Sequence, residues 1–162
     1  MRTTTVTDWS LFKKTELREP QCLACMRKSQ GPFCGLEAGI VSRLGRTKTV
    51  SLVGKGQILF QAGSPVSSVY CLHSGSAKIY RVAFNGKEQI LRIAEPGSLL
   101  GFRALLMETP HESYAEIVET ARVCSIPAQA FGPLIDGAPP LFKRMLLLLK
   151  HRVLVERESL ER

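Results

Sequence analysis

The chain is short of several things that would define a function at once. No run of its 162 residues comes near 18 consecutive apolar positions, so nothing in it reads as a membrane-spanning helix. The opening stretch, MRTTTVTDWSLFKK, has no apolar core of the kind a secretory signal needs. Cytoplasmic residence is therefore expected. There is no Gly-rich phosphate loop, no G-x-S-x-G and no H-E-x-x-H, and none of the three histidines comes with a carboxylate and a nucleophile at a recognisable catalytic spacing. No residue set points to catalysis, and the expectation is a protein that is not an enzyme. Aromatics make up only 7% and form no basic-aromatic face of the kind that tracks a nucleic-acid backbone.

The chain does have an apolar share of 44%, enough for a core, and a length suited to one domain plus one long helix. Its 22 basic residues against 14 acidic ones give a net charge of +8. That excess is spread thinly. Residues 1–34, 35–138 and 139–162 carry +3, +2 and +3, with no Lys/Arg block. An ordinary solvated surface with a basic bias explains this better than a DNA-binding face does.

Three zones follow from local chemistry. Residues 1–35 are irregular and polar, are broken by Pro20, Gly31, Pro32 and Gly35, and hold three of the five cysteines. Leu36, Ile40, Val41 and Leu44 then suggest a short helix over 36–44. From 47 to 127, strands are predicted at Thr49–Val53, Gln57–Gln61, Ser68–His73, Ala77–Val82, Gln89–Ile93, Tyr114–Val118 and Arg122–Ile126. Turn signals separate them, the sharpest being a tight hairpin at Asn85-Gly86. Strands at this density predict a β-sandwich or small barrel. The third zone is helical. One short helix opens at Pro127-Ala128, and a longer one follows Pro139-Pro140. Phe142, Leu146, Leu149, Val153 and Leu160 make a heptad seam in the longer one, which predicts pairing with a second chain. Glu156 sits on that seam, where an unpaired charge costs stability, so the pairing would be marginal and switchable.

The cysteines carry the densest chemical signal. Cys22 and Cys25 lie three apart, and Cys34 follows after eight intervening residues. Three such thiols suit one metal centre, and basic Arg27 and Lys28 would help keep them ionised. The fourth ligand must come from Cys71, Cys124, His73, His111 or His151. Spacing alone leaves zinc and an iron–sulfur cluster as equal options.

Particular stretches then bring a family into view. Gly56-Gln-Ile-Leu-Phe60-Gln-Ala-Gly63, Val69-Tyr-Cys-Leu-His-Ser-Gly75, Pro96-Gly97-Ser-Leu-Leu-Gly101-Phe102 and Glu119-Thr-Ala-Arg-Val-Cys124-Ser-Ile-Pro127 resemble the sensor domain of the CRP/FNR transcription regulators. The likeness is closest to the oxygen-responsive FNR branch. It implies a mainly β fold: a double-stranded β-helix, or jelly roll, of the cyclic-nucleotide-binding-domain type, followed by a long C-terminal dimerisation helix. The corresponding division is a cysteine-containing segment over 1–35, a sensor over 36–137 and the helix over 138–162.

The resemblance also implies that Cys22, Cys25, Cys34 and Cys124 bind a [4Fe–4S] cluster, with zinc as the alternative. Cys71 is left as a core residue. The implied assembly is a homodimer through Phe142, Leu146, Leu149, Val153, Glu156 and Leu160. Glu156, or its neighbour Arg157, would hold the cluster-free form apart. DNA would be bound only through a helix-turn-helix that the family places beyond this helix and that this sequence does not contain. RNA polymerase would be a partner of a full-length form. The missing reader is expected to reflect a cut version, a truncated gene product or a natural sensor-only protein. Other branches bind cyclic nucleotides in the same roll. Here Phe102 stands where they carry a carboxylate, and Glu112 precedes Ser113 where they pair an arginine with the phosphate. A negative charge there would repel that ligand.

Overall fold

The computed structural model describes residues 38–136, which form eight strands and three helices. The helices are α1 (Ala38–Thr47), α2 (Phe102–Met107) and α3 (Ala128–Asp136). The strands are β1 (Thr49–Val53), β2 (Ile58–Phe60), β3 (Ser68–Leu72), β4 (Ser76–Val82), β5 (Glu88–Ala94), β6 (Leu99–Leu100), β7 (Tyr114–Glu119) and β8 (Ala121–Pro127). They build two four-stranded antiparallel sheets, ordered β1-β8-β3-β6 and β2-β7-β4-β5. This is the expected jelly roll. The seven expected strands are all present, with ends shifted by a residue or so.

The core lies between the sheets. Tyr70, Leu72, Leu100, Ala121 and Val123 face it from the first sheet, and Phe60, Ala77, Ile79, Ala115 and Ile117 from the second. The outward face of the second sheet is solvent-exposed and mixed, with Ile58 and Ile93 beside charged residues. There Lys78 reaches Glu88 at 3.0 Å and its cross-strand partner Glu116 at 3.2 Å. The first sheet is covered on both sides. Its outward residues Val69, Leu99 and Ile126 are as buried as the core, and α1 and α3 pack over them with Leu44 and Phe131.

Helix α1 runs to Thr47, three residues past the expected end. Its last turn is closed by Lys48 N–H donating to Leu44 O at 3.1 Å and by the Thr47 hydroxyl donating to the same oxygen at 3.1 Å.

Two features of the chain path differ from expectation. The Asn85-Gly86 hairpin is not a two-residue turn. Gly86 N–H bonds Ala83 O at 2.8 Å and Ala83 N–H bonds Lys87 O at 2.9 Å, which makes a three-residue loop. Only Gly86 takes the left-handed conformation there, with φ 80°, while Asn85 Oδ1 accepts from Lys87 N–H at 3.0 Å. The second difference is β6. Two residues between Gly97 and Gly101 are too few to show alternation, and only their pairing with Tyr70 and Cys71 makes them a strand.

Two of the passages of the chain between the sheets lie side by side. Gly75 joins β3 to β4, and Thr120 joins β7 to β8. Gly75 has φ 77°, and a methyl group on it would come within 2.5 Å of Thr120 O and 2.7 Å of Ala121 Cα. The two passages therefore touch backbone to backbone, and no side chain fits between them.

Candidate functional sites

Among the described residues two places hold chemistry. The first is a cavity of about 70 Å³ at the open end of the roll, lined by Phe60, Ile79, Leu91 and Leu100 within and by Arg81, Arg92, Arg103, His111 and Glu112 around its mouth. Local backbone chemistry shapes it. Gly101 opens α2 at φ 84°, and a methyl group there would sit 3.2 Å from His111 Cε1. The absent side chain lets the imidazole lie flat on Phe60, with ring centres 4.0 Å apart and planes 10° apart. His111 is held from its backbone as well. Gly63 N–H donates to its carbonyl at 2.7 Å, and its own N–H donates to Ser64 O at 3.0 Å. Burial lowers the His111 pKa below the ordinary histidine value, so its uncharged form is favoured.

Glu112 differs from expectation. It is not a bare negative charge. Its Oε2 lies 3.0 Å from Arg81 Nη2 and 3.5 Å from Arg103 Nη1. With Arg92 also present, the mouth carries three arginines and one carboxylate. Phe102, in the position of the expected carboxylate, is fully buried and offers the cavity no polar atom. The volume is well below the roughly 300 Å³ at which small-molecule sites begin.

The second place is the outward face of the first sheet. Cys124 is half-buried on β8, between Val50 of β1 and Cys71 of β3. The register sets Cys71 directly opposite Cys124. Cys71 therefore does not belong to the core as the resemblance left it. It is half-buried, faces away from the sheet interface, and stands beside the proposed ligand. His73 follows two residues on, just past the end of β3. Its N–H donates to Arg122 O at 2.9 Å. His111 is not a neighbour of Cys124, because it opens onto the cavity inside the roll.

Among the described residues no three His, Cys, Asp or Glu side chains converge on a metal position. Cys22, Cys25, Cys34 and His151 lie outside the described residues. So do the seam positions Phe142, Leu146, Leu149, Val153, Glu156 and Leu160. No helix among the described residues is long and apolar enough to cross a membrane.

Comparison with known proteins agrees with this architecture. Residues 51–137 match the family model described as cyclic nucleotide-binding domain. The chain is 35% identical over 108 residues to an anaerobic regulatory protein of Pasteurella multocida, covering 67% of this chain and 39% of that protein. Among solved structures, Thermus thermophilus catabolite activator protein matches 80% of this chain and 61% of its own, with 25% identity and a TM-score of 0.70. The sensor domain of the regulator DNR from Pseudomonas aeruginosa matches 83% of this chain and 87% of its own, with a TM-score of 0.67 at 24% identity.

The fold and these matches define a cyclic nucleotide-binding domain. Within that class the chain belongs to the CRP/FNR family of regulators, of which it spans the sensor region. It spans about two-fifths of the length of the curated relative described.

Proposed function

We propose that this chain is the redox-sensing part of an FNR-like transcription regulator. In this reading Cys22, Cys25, Cys34 and Cys124 hold a [4Fe–4S] cluster. A homodimer formed through the Phe142–Leu160 seam, and DNA binding by a helix-turn-helix of the longer protein, depend on that cluster. The observation that carries the reading is the setting of Cys124. A cysteine on a central strand is ordinarily a buried, inert thiol. Cys124 instead stands half-buried on the outward face, and α1 packs over the same strand. Cys34 lies four residues before Ala38, where α1 begins, a span that an extended chain covers in about 14 Å. Three upstream thiols and this one make a donor set suited to iron–sulfur chemistry.

Such a cluster supplies sensitivity to oxygen. The chain's own contribution is a rigid seat for one ligand. Strand β8 is bonded to β1 and β3 along its length, so Cys124 is a fixed ligand. The cavity inside the roll speaks against cyclic nucleotide as the signal, because it is too small and has buried Phe102 where other branches carry a carboxylate.

Anaerobic purification followed by iron and sulfide analysis tests the reading. The expected preparation is brown, holds iron and acid-labile sulfide in equal amounts, and bleaches on aeration. Cys22→Ser, Cys25→Ser, Cys34→Ser and Cys124→Ser should each abolish retention, while Cys71→Ser keeps it. A colourless protein holding one zinc and no sulfide would overturn it.

A further inference from the structure

Cys71 and Cys124 are opposed on adjacent antiparallel strands. The bonds on either side fix the kind of pair they make. Ala128 N–H donates to Ser67 O at 2.9 Å, and His73 N–H donates to Arg122 O at 2.9 Å. Hydrogen-bonded and non-bonded pairs alternate along such a ladder. Cys71 is an even number of residues from both Ser67 and His73, so Cys71–Cys124 falls on a hydrogen-bonded step. The Cα atoms of such a pair stand about 5.5 Å apart, inside the span of roughly 4.4–6.8 Å that a disulfide bridges. Both residues are thiols, both are half-buried, and both face outward from the roll.

We propose that Cys71 and Cys124 form a redox-active pair that peroxide closes into a reversible cross-strand disulfide. One thiolate sulfur attacks an oxygen of hydrogen peroxide. The O–O bond breaks, hydroxide leaves, and a sulfenic acid forms. The second thiolate attacks that sulfur and expels the remaining hydroxide. Two thiols and one hydrogen peroxide become one disulfide and two waters. The sulfurs lose two electrons and the peroxide oxygens gain them.

The same geometry makes the bond labile. Opposed Cβ atoms on neighbouring strands stand about 4.5–5.5 Å apart, whereas a relaxed disulfide holds them at about 3.5–4.5 Å. Strand β8 is held on its far side by β1, and β3 by β6, so neither yields freely. A strained disulfide is oxidising and is reopened by ordinary monothiols. The pairing rests on the β3–β8 register and not on the cluster reading. If that reading also holds, a sulfur bonded to Cys71 is closed to iron, and the two states of Cys124 exclude each other.

The test uses the full chain, freed of metal by a chelator without air and then exposed to hydrogen peroxide. It is alkylated and cut with trypsin without reductant. Cys71 falls in the fragment 56–78 and Cys124 in the fragment 123–143, each with no other cysteine. The expected result is a linked 56–78/123–143 species that glutathione dissolves and that both Cys71→Ser and Cys71→Ala lack. Recovery of Cys71 as an alkylated thiol while Cys124 is oxidised, or Cys124 joined to Cys22, Cys25 or Cys34, would overturn the proposal. The readout is a covalent link in metal-free protein, so its failure leaves the iron analysis untouched.

Discussion

Gly75 allows the sharpest quantitative test of the fold. Gly75 and Gly86 both hold left-handed backbone, at φ 77° and 80°. An alanine in that conformation costs about 1–2 kcal/mol at either site. The surroundings differ completely. Nothing lies within 4 Å of a methyl group added at Gly86. At Gly75 the same group meets Thr120 O at 2.5 Å, Ala121 Cα at 2.7 Å and Glu119 O at 2.7 Å. Those are backbone atoms at the passage from β7 to β8, and they have no rotamer to escape into. Forcing a carbon into packed surroundings adds typically 1–3 kcal/mol. Gly86→Ala should therefore cost about 1 kcal/mol and Gly75→Ala about 3 kcal/mol. The difference is close to thirtyfold in the unfolding equilibrium. With a urea dependence of about 2 kcal/mol per molar, the midpoint should fall by roughly 0.5 M for Gly86→Ala and 1.5 M for Gly75→Ala, at unchanged slope. Equal shifts for the two variants would refute the claim that the passages press backbone on backbone.

Other consequences follow from the cavity. The lowered His111 pKa means that the unfolded chain takes up that proton first as the solution is acidified. The stability this gives is fully present above pH 6.5, the ordinary histidine value, and is lost as pH falls through the lower folded value. Urea midpoints at pH 7.5 and 5.0 should therefore differ more for the native chain than for His111→Gln, and parallel losses would reject the assignment. Glu112 and its arginines are largely exposed, so Glu112→Gln should change stability by less than about 1 kcal/mol. The same variant removes the carboxylate charge that Arg81 and Arg103 share and should bind sulfate more tightly than the native chain by calorimetry. Unchanged sulfate affinity would show that Glu112 does not govern the charge of the mouth.

The strands were legible because β-branched runs alternate with glycine turns. The face on which Cys71 stands was not. In Val69-Tyr70-Cys71-Leu72 the residues pointing each way are all apolar, since the first sheet is buried by the core on one side and by α1 and α3 on the other. A strand covered twice loses its period-two signal, and a thiol in it looks like core. Only the register separates the two faces. The Glu112 site was opaque for a different reason. Its charge is visible in the sequence, but the arginine that balances it lies 31 residues upstream, on another strand. The left-handed glycines were half legible. Gly86 reads as a turn, but the need for Gly101 comes from an imidazole ring that the fold brings to it.

The place of β8 has one more consequence. An inner strand with a ladder on each edge behaves as an anvil: a blow on it moves whatever rests on top. A bond made or broken at Cys124 meets stiff backbone beneath and a thin helical layer above. The compliant direction is outward, through α1 and α3. Those helices are also where the described chain enters and leaves the roll, at Ala38 and Asp136. In the proposed reading, sulfur chemistry on this strand is thereby coupled to both exits and not to the interior.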